Sequence, residues 1–341
     1  MNSKGKAIQH LFFDSIRGRL PDHISMVHEI SETLEISYDS AYRKMRGDKN
    51  LAIEEMKILS LKYGISIDTL FGRNNNDIHF QPFNFRLEEN GFEEWLNLRI
   101  KEIYRINECQ NKELIMVARD LPIFYYFDFP KLAAFKIYFW GKMLFHYADY
   151  HYKKFDISDI PEKLISIGNQ LLSAYNSIAS TEIWCRETFT RLIQQIEFCM
   201  VSGFFKHKND AEVLFDNVEA LIRHMQQQTE LGYKFNFGNQ VKEDNEENFR
   251  VYINEVMLID NSVLSIKDGF KTILMTHNSL DVLKTTDPVF CNQIEHSLRS
   301  IMKTGNHISG TSGMESKRFF TPLFEKLDES KKESVSYRFT V

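Results

Sequence analysis

Apolar residues recur at helical spacing from the start of the chain. Ile8, Phe12, Ile16 and Leu20 return every fourth residue, which predicts an amphipathic helix ended by Pro21, since proline cannot continue the backbone ladder. Ser25 then stands at the N-cap of a second helix with Val27, Ile30 and Leu34 on one side. Ser37 opens a third, in which Ala41 and Met45 face inward and Gly47 suits the left-handed conformation that closes a helix. A fourth carries Ile53, Met56, Leu59 and Tyr63 and stops at Gly64, and Ser66 caps a short fifth with Ile67, Leu70 and Phe71. No such helix buries its stripe alone, so the pattern predicts one packed domain over residues 1–72. Only Glu35–Ser37 separates the second helix from the third, with Ile36 as an inward anchor. Helices joined in this way form a helix-turn-helix, whose second helix enters the major groove of DNA.

The residues that carry this pattern also carry a family likeness. Ile30-Ser31-Glu32-Thr33-Leu34-Glu35-Ile36-Ser37, then Gly47, then Tyr63-Gly64-Ile65-Ser66-Ile67-Asp68 resembles the lambda-repressor-like helix-turn-helix domains. Within them, Ser37-Tyr38-Asp39-Ser40-Ala41-Tyr42-Arg43 with Arg46-Gly47 is most similar to the BetR-like regulators. Residues 5–72 are covered. The resemblance implies base contacts from Tyr38, Asp39 and Arg43 and a phosphate contact from Ser37. The chemistry suits those roles: an arginine can grip guanine with two hydrogen bonds, a carboxylate can accept from cytosine, and a tyrosine ring can meet a thymine methyl. Lys44, Arg46 and Lys49 are expected at phosphates, which position the protein without reading sequence. Two positions depart from the family. Ser31 stands where alanine is usual and is small enough for a close helix crossing. Glu35 stands where glycine is usual, and a left-handed residue other than glycine costs about 1 kcal/mol, which predicts a wider turn.

Gly72-Arg73-Asn74-Asn75-Asn76-Asp77 is polar and turn-prone, so residues 73–86 are expected to be a linker containing a short extended piece over His79–Phe85. Residues 87–232 then have a helical pattern, including Leu132–Tyr150, Pro161–Ile178, Thr181–Phe204 and Asn209–Leu231. Long helices with short joints predict a helical domain resembling tetratricopeptide arrays. The segment Ala118–Phe124 with Phe129-Pro130 and Phe135-Lys136 resembles one that follows such DNA-binding domains in bacterial regulators. In residues 233–341 the pattern changes. Alternation over Tyr233–Phe237, and strands at Phe249–Ile259, Ser262–Ile266 and Phe270–His277 with helices at Asp287–Lys303 and Met314–Ser330, predict a small α+β unit around a three-strand antiparallel meander. The fold expected is therefore mainly α: a five-helix DNA-binding domain, a helical middle domain and an α+β C-terminal unit.

Composition narrows the chemistry. The net charge of −5 is no nucleic-acid signature, but Arg43, Lys44, Arg46 and Lys49 crowd one segment opposed there only by Asp48. No apolar run approaches the roughly 20 residues of a membrane span. The polar N-terminus has no signal core, so a cytoplasmic protein is expected. Cys109, Cys185, Cys199 and Cys291 are scattered and predict free thiols rather than a metal site or disulfide frame. His146 and His151 lie five apart and diverge on a helix, so packing outweighs a metal reading. Phe135, Tyr138, Phe139 and Trp140 read as core before they read as a ligand pocket. Ser309–Gly313 with Lys317 and Arg318 has anion-holding chemistry, although an ordinary capped helix explains it as well, and it lacks the Gly-Lys-Ser/Thr ending of a P-loop. No catalytic residue, cofactor or metal is expected. The reading is a transcriptional regulator that binds a double-stranded operator as a homodimer and responds through its remainder to a small-molecule or protein effector. The alternatives are a helical interaction scaffold tethered to DNA and a self-cleaving Ser-Lys repressor, although Ser312 lacks the setting such a nucleophile needs.

Overall fold

In the computed structural model the chain divides into two units, residues 1–79 and 80–341. The structure describes residues 3–20, 24–65, 67, 78–83, 91–239, 246–256, 259–278, 280–310 and 313–340.

The first unit contains α1 (Ser3–Arg17), α2 (Met26–Thr33), α3 (Tyr38–Met45) and α4 (Ile53–Tyr63). Phe12, Phe13, Ile16, Met26, Ile30, Ala41, Leu59 and Ile65 form its core. Helix α1 ends at Arg17, before Pro21, and Ile53 of α4 points outward at 82% exposed, against the inward placement expected of it. Of the fifth helix, expected from Ser66, only Ile67 is among the described residues, and most of the expected linker lies outside them.

The second unit is built on one mixed sheet, which overturns the expected mainly α fold. Its strands are β1 (Gln81–Phe83), β2 (Lys112–Ala118), β3 (Ser180–Trp184), β4 (Phe249–Ile253), β5 (Ser262–Lys267), β6 (Phe270–Asn278), β7 (Asp281–Thr285) and β8 (Asn306–His307), in the order β1-β7-β6-β5-β2-β3-β4-β8. Strands β2, β3 and β4 are parallel, and β5-β6-β7 form an antiparallel meander beside β2. The supposed helical middle therefore supplies two central strands to the sheet that the C-terminal segment completes, and among the described residues the C-terminal segment forms no separate small α+β unit.

The helices are α5 (Gly91–Asn107), α6 (Pro130–Met143), α7 (Glu162–Asn176), α8 (Glu187–Val201), α9 (Asp210–Leu231), α10 (Pro288–Thr304) and α11 (Met314–Thr340). All but α10 contribute to the larger core on one face, with Leu114, Met116, Trp184, Phe249 and Val251 from the strands. Helix α10 covers the other face through Cys291 and Leu298, against Ile115, Val117, Ile183, Leu264 and Ile273. Burial on both faces explains why Leu114 to Ala118 is apolar without alternation. Where α7 crosses the 3-10 turn Ile123–Asp128, Gly168 lets the Phe127 ring lie against the helix: a Cβ there would stand 2.1 Å from the ring. The tetratricopeptide-like array gives way to this sheet, and Tyr233–Phe237, expected as a strand, is an irregular segment pinned by Asn248 and Asp128 side chains.

Candidate nucleic-acid interface

The turn between α2 and α3 is tight, not wide. Glu35 takes φ +52, its N–H bonds to Glu32 O at 3.3 Å, and the Ile36 N–H bonds to Ser31 O at 3.0 Å. This is the paired closure that a helix makes around a left-handed residue, here with glutamate in glycine's usual place. Ser37 follows in extended conformation, and its hydroxyl accepts the Ser40 N–H at 3.3 Å. Helix α3 closes in the same manner: Gly47, at φ +70, bonds to Lys44 O, and the Asp48 N–H to Arg43 O.

Between these caps α3 has two distinct faces. Ala41 and Lys44 are buried, whereas Tyr38, Asp39, Tyr42, Arg43 and Arg46 are exposed. At 100° per residue those five fall on one arc of the helix. Tyr38 is 59% exposed and Tyr42 46% exposed. The Arg46 guanidinium lies 5.7 Å from the Tyr42 ring centroid and 3.5 Å from Asp48 Oδ2. Lys49 donates to Ser40 Oγ at 3.3 Å and stays exposed. Among the described residues the Arg43 guanidinium has no hydrogen-bond or ion-pair partner. Tyr42 was absent from the sequence-derived set, although its i+4 spacing from Tyr38 was the available signal.

Lys44 does not join this face, which corrects the phosphate-contact role expected of it. It is 3% exposed, and its ammonium meets Glu55 Oε2 at 2.6 Å and Asn50 O at 3.0 Å. Burial acts to raise the Glu55 carboxyl's pKa. Hydrogen bonds from Lys44 and from the Ala52 N–H outweigh it and hold the group below the ordinary range. The spacing of Lys44 carries the signal: it stands three residues after the inward Ala41, on the same face of the helix, away from Arg43 and Arg46.

A cluster of buried polar groups in the second unit has no counterpart in the sequence reading. Glu182, on β3, is fully buried and accepts from Tyr125 Oη, Tyr175 Oη and Trp184 Nε1. Lys234 donates to Tyr175 O, Ile178 O and Ser180 Oγ, so each of its three N–H groups has an acceptor. Burial raises the Glu182 pKa and lowers that of Lys234. Such a satisfied network fixes α7 and the 233–239 segment against the sheet. Beside it, His224 is 5% exposed, with Nε2 3.0 Å from Phe235 O, 2.9 Å from Gln228 Nε2 and 3.9 Å from Asp128 Oδ2. Burial pushes its imidazole down to about 4, and burial also raises the Asp128 carboxyl.

The remaining sequence candidates settle as packing. Phe135, Tyr138 and Trp140 are core, with Phe139 packed against them. His146 and His151 are exposed, and His151 meets the Tyr152 ring. At the start of α11, Ser316 donates to Glu230 Oε1, so a carboxylate of the chain itself lies at this helix start. Lys317 and Arg318 are exposed, and Thr311 and Ser312 lie outside the described residues. Among the described residues no group of three His, Cys, Asp or Glu side chains is placed to hold a metal ion. No described helix is long and apolar enough to cross a membrane. No protein family, curated protein or solved structure matches the chain.

Proposed function

We propose that the chain is a sequence-specific DNA-binding transcriptional regulator. Helix α3 reads an operator in the major groove, and residues 80–341 supply dimerisation and the response to an effector. The observation that carries this reading is the exposed face of α3. Arg43 stands there without an intramolecular partner among the described residues, flanked by Tyr38, Asp39, Tyr42 and Arg46, on a short helix capped at both ends and preceded by a tight turn. An arginine left unpaired on a rigid helix is poised for two hydrogen bonds to guanine, and the tyrosines add apolar contact area. Arg46 caps the end of the same helix and Lys49 lies in the segment that follows it, where they suit backbone phosphates. As a bacterial regulator it would act in the cytoplasm.

Selection of binding sites from a random pool of double-stranded DNA tests the reading. The expected result is an enriched near-palindrome with half-sites about ten base pairs apart, as a two-fold dimer of such domains requires. Absence of any enriched sequence overturns it.

A further inference from the structure

Helix α1 holds the end of α3 through one side chain. Gln9, 8% exposed on α1, donates from Nε2 to Lys44 O at 2.6 Å and to Lys49 O at 2.8 Å, and its Oε1 accepts the Leu51 N–H at 3.0 Å. The first of these groups lies in the last turn of α3, and the other two lie in the irregular segment leading to α4. Only an amide can donate two hydrogen bonds and accept one at a single position of this shape. Beside it the same helix lies against Gly47: a Cβ there would stand 3.2 Å from His10 Nε2 and 3.6 Å from Lys6 Cγ. From the other side, Lys44 ties the segment to Asn50 O and Glu55. The C-terminal end of α3 is thereby held against α1 by side-chain bonds spanning 35 to 42 residues of sequence.

We infer that Gln9 is a positioning residue for base reading: its amide fixes the angle at which α3 presents Tyr38, Asp39 and Arg43. This rests on the reading of α3 as the DNA-contacting helix. Base contacts tolerate little displacement, since a bidentate arginine–guanine pair is lost when the helix tilts by a fraction of an ångström at the side-chain tip. Phosphate contacts are less directional and survive such a tilt. Removal of the clamp therefore weakens specific binding more than non-specific binding.

The test compares the full chain with its Gln9→Leu and Gln9→Glu variants, each measured on the duplex that the natural chain selects from a random pool and on an unrelated duplex. Leucine makes none of the three bonds, and glutamate keeps only acceptors. Partial unfolding lowers both affinities by one factor, so their ratio reports positioning alone. In both variants the expected fall of the specific-to-unrelated ratio is about tenfold, the size of one lost base contact. A fall smaller than about threefold in both variants overturns the inference and leaves DNA reading intact. A natural chain that discriminates no sequence overturns DNA reading itself, and the inference with it.

Discussion

Replacing Lys44 by methionine separates a buried lysine from a phosphate-contacting one. Its side chain is 4% exposed and that of Glu55 is 21% exposed, with 2.6 Å between the charges. Removing one partner of a fully buried pair costs about 3–5 kcal/mol. Glu55 keeps its bond from the Ala52 N–H at 2.8 Å and some water, which reduces the loss. The expected cost to the first unit is therefore about 2–3 kcal/mol. Hydrogen exchange of the Ala41 and Leu59 amides in the full chain reads that loss locally, as a fall in protection of roughly 30- to 150-fold. Salt dependence gives the second arm. Each phosphate contact contributes about 0.9 to the slope of log affinity against log salt. Lys44→Met leaves that slope unchanged, whereas Arg46→Ala, which alters an exposed cation, lowers it by about 1. A Lys44→Met variant with undiminished protection and a slope lower by about 1 would refute the buried role.

Three other outcomes follow from the same structure. Glu35→Gly is expected to stabilise the first unit by about 1 kcal/mol, because glycine adopts φ +52 without steric cost; unchanged or lower stability in denaturant titration contradicts this. Gly168→Ala places a Cβ 2.1 Å from a Phe127 ring that is 1% exposed, so a loss of about 1–3 kcal/mol is expected, and a thermal unfolding midpoint equal to that of the natural chain would count against the close crossing. His224 has a folded pKa of about 4, below its ordinary 6.5, so the unfolded chain binds more protons in that interval and stability falls as pH drops through it. Between pH 7 and pH 5 the natural chain should lose about 2 kcal/mol more than His224→Gln, with Asp128, whose raised carboxyl opposes the trend at lower pH, common to both; parallel profiles contradict the assignment.

Legibility of the sequence followed the physics of each segment. Helices α2, α3 and α4 were readable because one face is solvated, so period and caps coincide at Ile30, Ser37, Ala41 and Gly64. The strands β2 and β3 were not. Leu114 to Ala118 is buried on both faces and shows no alternation, and Ser180–Trp184 runs within a few residues of α8, so apolar spacing merged the two into one helix. Of the expected meander of Phe249–Ile259, Ser262–Ile266 and Phe270–His277 only the β5-β6 hairpin stands, marked by Asp268-Gly269 at its turn; β4 pairs instead with β3 and β8, and β7 takes the third place. At the candidate interface, Tyr38, Asp39, Arg43 and Arg46 could be placed on a helix from spacing. That Lys44 turns inward was legible from its i+3 spacing to Ala41, whereas its pairing with Glu55 and the clamp of Gln9 join residues apart in sequence and leave no local signal.

The central claim is that α3 reads sequence, and Arg43→Ala tests it most directly. Affinity is measured for the duplex that the natural chain selects and for an unrelated duplex at one salt concentration. Loss of a bidentate guanine contact predicts a fall of roughly 5- to 150-fold on the selected duplex, far exceeding the fall on the unrelated one, with amide protection of α3 and α4 retained because Arg43 is exposed. Equal falls on both duplexes, or unchanged preference for the selected one, would contradict the account.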